Sequence, residues 1–81
     1  MDITITRSDK QVKAYLDDQM EQHNIMQTDI QKALDRSSGY VSERMSGKRS
    51  WAISELDRIA PLLHLPNALA ILAAASGYKV E

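Results

Sequence analysis

The sequence predicts an all-helical domain of five helices. Three observations carry this. Apolar residues recur at helical spacing along most of the chain, strand-like alternation is confined to its start, and capping and turn residues cut the rest into short segments. Only Ile3-Thr4-Ile5-Thr6 alternates, which predicts a short strand or an N-terminal arm over residues 1–7. The helical domain is expected over residues 8–76, followed by a tail at 77–81.

The first helix should begin near Ser8 or Asp9, both good N-caps. Val12, Leu16 and Met20 form its apolar stripe, with Tyr15 beside them. It should end at Gln22 to Asn24, because asparagine tolerates the left-handed conformation of a helix stop. The second helix is predicted over Gln27–Leu34, burying Ile30, Ala33 and Leu34. Asp35-Arg36 turns the chain, and Ser37 caps a third helix over Ser38–Ser46 with Val41 and Met45 inward. Gly47 ends it, and Lys48, Arg49 and Ser50 form a basic loop. The fourth helix, Ala52–Leu63, has the stripe Ile53, Leu56, Ile59, Ala60 and Leu63. Pro61 should kink it or end it early, since proline removes a backbone bond and clashes with the preceding turn. Pro66 and Asn67 open a fifth helix with five alanines between Ala68 and Ala75. It is apolar almost all round, which suits burial on two sides, one against the core and one against a second copy of the chain.

Composition narrows the function classes. Eighty-one residues, 43% apolar, suit one domain and one core. The absence of cysteine excludes disulfides, a thiolate zinc site and a cysteine nucleophile. The longest apolar run is eight residues, Ala68 to Ala75, against about 20 for a membrane span. The N-terminus lacks the basic and apolar regions of a signal peptide, so a soluble cytoplasmic protein is expected. The net charge of −1 argues against a general polycation, but Lys32 to Arg49 holds five basic and two acidic residues. That segment is a focused positive footprint on an otherwise acidic chain.

Two short helices joined by a tight turn, the second capped by Ser37, form a helix-turn-helix candidate. The third helix, ~14 Å long, fits lengthwise into a major groove ~12 Å wide. Its outward residues Ser38, Gly39, Ser42, Glu43 and Ser46 are small or polar and allow close approach to base edges. Lys32 and Arg36 before it, and Lys48 and Arg49 after it, are placed to clamp phosphates. The bland alternative for Lys48 and Arg49 is a favourable interaction with the helix dipole.

The run Gln27-Thr28-Asp29-Ile30-Gln31-Lys32-Ala33-Leu34, followed by Ser37-Ser38-Gly39-Tyr40-Val41-Ser42-Glu43-Arg44-Met45-Ser46-Gly47-Lys48-Arg49, resembles the phage repressor/Cro-like (XRE-type) helix-turn-helix family. The similarity extends over about Val12 to Leu72. With Trp51 following Lys48-Arg49, its style looks most like regulators from phages of actinobacteria. The resemblance implies a lambda-repressor-like five-helix bundle. It also implies that Gln27 contacts a phosphate and braces the recognition helix, that Ser38, Gly39, Ser42 and Glu43 face bases, and that Tyr40, Lys48 and Arg49 face the backbone. Several positions depart from the pattern. Met26 stands where a serine or threonine usually caps the second helix, and Asp35 replaces the usual turn glycine. Arg44 replaces a common apolar residue, so Met45 is expected to take the core contact while Arg44 swings toward a phosphate. Glu43 can accept from cytosine N4, or hold Arg44 or Lys48 in place. Trp51 is expected to pack the fourth helix against the loop.

The remaining chemistry is sparse. His23 and His64 are 41 residues apart without a nearby ligand set, so no metal site is expected. Asp17 and Asp18 are adjacent, hence on different helical faces, and make no carboxylate dyad. No phosphate loop, catalytic triad or nucleotide fingerprint occurs. The expectation is therefore a non-enzymatic, cofactor-free transcriptional regulator in a bacterial host, without membrane or small-molecule substrate. It would bind a double-stranded operator as a homodimer through the fifth helix, the N-terminal arm, or both, on half-sites ~34 Å apart. The alternatives are an antitoxin or transposon regulator, and a protein-interaction module such as an antirepressor.

Overall fold

The computed structural model describes residues 5–80. Among them are five α-helices and no strand: α1 (Arg7–Gln22), α2 (Gln27–Leu34), α3 (Ser38–Met45), α4 (Ile53–Ile59) and α5 (Ala68–Ala75). A 3-10 turn, Ala60–Leu63, follows α4 directly. Of the alternating start, Ile3 and Thr4 lie outside the described residues.

The first helix starts earlier than expected. Thr6 is the N-cap, not Ser8 or Asp9: its hydroxyl accepts from the Asp9 N–H at 3.2 Å. Asp9 Oδ2 accepts in return from the Thr6 N–H at 2.9 Å. This reciprocal box places Asp9 in the first turn and moves the domain boundary inside residues 1–7. At the other end the expected tail is docked. Gln11 Nε2 donates to the Ser76 and Tyr78 carbonyls at 3.1 and 3.0 Å. The Tyr78 ring meets Tyr15 edge-on at 5.5 Å, and its hydroxyl donates to Asp18.

Four element ends share one device, a left-handed residue whose own amide and the next one close on the last carbonyls. Asn24 (φ 56°), Asp35 (φ 54°), Gly47 (φ 85°) and His64 (φ 61°) hold these positions. After Asn24, for example, the Ile25 N–H bonds the Met20 carbonyl at 2.8 Å, and after Asp35 the Arg36 N–H bonds the Gln31 carbonyl at 3.1 Å. Asparagine and aspartate tolerate this region better than other non-glycine residues. Asp35 therefore does the work of the missing glycine.

The core collects Val12, Tyr15, Leu16 and Met20 of α1, Ile30 and Leu34 of α2, Val41 of α3, and Leu56 and Ile59 of α4. Ala60 and Leu63 of the 3-10 turn and Ala68, Ile71 and Ala75 of α5 complete it. α5 packs on α1 and α4, while α2 packs on α3 and α4. Pro61 ends α4 early by forcing the tighter turn, one of the two outcomes expected of it. Two apolar positions behave differently from their periodicity. Ile53 is 60% exposed, because it sits in the first turn of α4 and Trp51 covers that end of the core instead. Leu69 is 67% exposed, so α5 buries one face and not two within this chain. No single helix among the described residues is long and apolar enough to cross a membrane.

Candidate nucleic-acid interface

α2 and α3 pack together across the Asp35–Ser37 turn. Met26 has no side-chain acceptor, yet α2 starts cleanly because Asp29 Oδ2 takes the Met26 N–H at 2.8 Å. The carboxylate three residues on thus replaces the missing cap. Ser37 Oγ accepts from the Tyr40 N–H at 3.3 Å and starts α3 as expected. Gln27 Nε2 donates to the Ser38 carbonyl at 3.2 Å. The first residue of α2 thereby braces the first residue of α3.

α3 has a single fully buried residue, Val41, worth about 1.5–3 kcal/mol of apolar burial. Met45 is half-buried against the core. Val41, Met45 and the Tyr40 ring give α3 only a short apolar anchorage, and polar contacts add to it. They centre on Glu55 of α4, which is buried. Glu55 Oε1 accepts from Arg44 Nε at 3.2 Å and from the Ala52 N–H at 2.8 Å, and Oε2 accepts from the Tyr40 hydroxyl. The Arg44 guanidinium lies 3.6 Å from the Tyr40 ring centroid and donates to the Tyr40 carbonyl at 3.3 Å. Arg36 approaches the same ring at 5.0 Å. Burial pushes the Glu55 carboxyl up, but hydrogen bonds from Tyr40, Ala52 and Arg44, with the Arg44 charge, hold it below its ordinary value. The bond to Glu55, then desolvation and the carboxylate charge, raise the Tyr40 hydroxyl.

This cluster corrects two expectations. Arg44 does not swing outward to a phosphate; it is drawn inward by a buried carboxylate and an aromatic face. The Tyr40 hydroxyl, expected on the backbone side, is committed to Glu55. Glu43 also differs. It holds neither Arg44 nor Lys48 but pairs with Arg49, Nε to Oε2 at 3.4 Å. The left-handed Gly47 brings the chain back over the helix end, so the Lys48 and Arg49 amides bond the Glu43 carbonyl.

Ser38, Gly39, Ser42 and Glu43 are exposed along α3, with Lys32 and Arg36 before them and Lys48 and Arg49 after. A Cβ on Gly39 would meet nothing within 4 Å, so that face is open. Lys32 and Lys48 make no ion pair among the described residues.

Three contributions escaped sequence reading. Glu55 holds α3, and its signal was a glutamate three residues after the Ala52 start of α4. Lys10, Lys13 and Asp9 of α1 line a cleft with Arg49, Ser50 and Trp51, and Lys13 pairs with Asp17 at 2.6 Å. Ser54 and Arg58 of α4 line a groove with Arg36 and Tyr40 on the other flank. Away from this face, His23 and His64 lie with ring centroids 5.4 Å apart despite their separation in sequence. No group of three or more His, Cys, Asp or Glu residues that could hold a metal occurs among the described residues. No protein-family model, curated protein or solved structure matches the chain.

Proposed function

We propose that the chain is a sequence-specific double-stranded DNA-binding regulator of the phage-repressor or Cro type, with α3 in the major groove and α2 across the backbone. The observation that carries this reading is the exposed α3 face of small and polar side chains, bounded by cations at both margins and braced from behind by Gln27 and Glu55. Ser38, Ser42 and Glu43 would read base edges, and Gly39 would let the backbone approach. Lys32, Arg36, Lys48 and Arg49 would neutralise phosphates, with Gln27 donating to one. Repression by occupying an operator needs no cofactor and suits the cytoplasm of a bacterial host. A homodimer would double the footprint, and the α5 face bearing exposed Leu69 is its contact.

Selection of bound sites from a random duplex library tests the reading. An enriched motif, bound by the pure protein with a log K against log salt slope of about −3 to −4 per chain for four phosphate contacts, supports it. No enrichment and no salt dependence would refute it. Leu69 also favours a second reading, a helical module that docks a protein through α5. In that case Leu69→Glu would abolish function while changes on α3 would not.

A further inference from the structure

We propose that His23 and His64 together bind one divalent transition-metal ion of tetrahedral preference, such as Zn2+, and that the ion fastens the end of α1 to the corner before α5. The fold creates this pair. His23 is the residue after α1, and His64 is the left-handed residue that ends the 3-10 turn. Both are exposed, and neither is paired with a carboxylate among the described residues.

The ring separation matches a shared ion. A metal–nitrogen bond of about 2.0–2.1 Å plus about 1.1 Å from nitrogen to ring centre puts each centroid about 3.2 Å from the metal. At a tetrahedral angle the two centroids would then stand about 5.2 Å apart. The observed separation is 5.4 Å, with the rings inclined at 58° and therefore not stacked. The tautomer of His23 also fits. Gln19 Oε1 lies 3.2 Å from His23 Nε2, and in the tautomer that carries its proton on Nε2 the ring donates to Gln19 and leaves Nδ1 to ligate. A ligating imidazole commonly donates its second ring N–H to such an oxygen, which fixes its orientation. Gln19 is thus a positioning residue. Water would complete the shell, so the site would stay open and exchangeable. Neither histidine belongs to α2 or α3, so the test below is independent of DNA binding.

Zinc chloride titrated into chelator-stripped protein, read by calorimetry and thermal unfolding, decides the matter. The expected result is one ion per chain and a Tm raised on the order of 10 °C at a hundredfold excess over Kd. His23→Gln and His64→Asn, the latter chosen because asparagine tolerates the left-handed backbone, should each weaken binding at least tenfold. Gln19→Ala should weaken it about tenfold through ring orientation alone. Circular dichroism of the metal-free variants checks that they fold. Wild-type affinity in either histidine variant, a stoichiometry of two chains per ion, or no saturable binding would overturn the proposal.

Discussion

Replacing Glu55 with alanine should destabilise the domain by about 2–3 kcal/mol. The reasoning starts from three hydrogen bonds lost at once, from the Tyr40 hydroxyl, Arg44 Nε and the Ala52 N–H. Bonds to a charged group contribute about 1.5–3 kcal/mol each, and breaking a buried ion pair costs about 3–5 kcal/mol. Those figures need reducing here. The Arg44 and Glu55 side chains retain 15% and 11% of their exposure, so water reaches the orphaned guanidinium in part. The Ala52 N–H sits at the start of a helix on an exposed residue and regains water as well. For a domain of this size the loss should lower Tm by roughly 10–20 °C. Urea and thermal unfolding followed by circular dichroism measure it. A double-mutant cycle with Arg44→Met should return a coupling of at least about 1 kcal/mol. A destabilisation below about 0.5 kcal/mol, or strict additivity with Arg44→Met, would show that the cluster does not hold α3.

The same carboxyl gives stability a definite pH dependence. Because the fold holds Glu55 below its ordinary 4.5, the folded state binds that proton more weakly than the unfolded chain. The stabilisation is complete above that ordinary value and is lost as pH falls through the lower folded value, so Glu55→Gln should flatten the acid limb of a stability profile below the ordinary carboxyl range. Tyr40 has the opposite sense: its hydroxyl is raised above 10.0, so its contribution should fade only as pH rises beyond that value, and Tyr40→Phe should remove the alkaline loss. Asp35→Gly should stabilise by about 0.5–1 kcal/mol in chemical denaturation, since Asp35 is left-handed at φ 54° and glycine carries no penalty there. Gly39→Ala meets open space and should stabilise α3 by up to about 1 kcal/mol, while weakening duplex binding if the backbone approaches DNA at that point. Arg49→Ala should reduce the salt slope of binding by about one unit, measured by fluorescence anisotropy.

How far the sequence disclosed all this depended on whether the decisive contact was local. The bounds of α2, the Ser37 cap and the left-handed Asn24, Asp35 and Gly47 were legible, because capping and turn chemistry act within a few residues. Thr6 was missed in favour of Ser8 or Asp9 because three candidates for the cap lie within residues 6–9, and the reciprocal bond between Thr6 and Asp9 decides among them. Ile53 fitted the α4 stripe by spacing, but periodicity does not say where the core ends, and Trp51 already occupied that edge. Arg44, Tyr40 and Glu55 form a cluster across 15 residues, and the proximity of His23 to His64 spans 41 residues of sequence. Such pairings follow from how distant elements pack in the fold and carry no local signature. The exposed face of α3 was legible because Val41 and Met45, four residues apart, mark its inward side.

The central claim is that the outward side of α3 meets a duplex. Backbone amide shifts during titration with a library-selected duplex measure it most directly. The account predicts that Ser38, Gly39, Ser42 and Glu43 shift most, that Lys32 and Lys48 follow, and that the amides of Ile71 to Ala75 on α5 stay in place. Unmoved α3 amides, with the largest changes on α5, would contradict it.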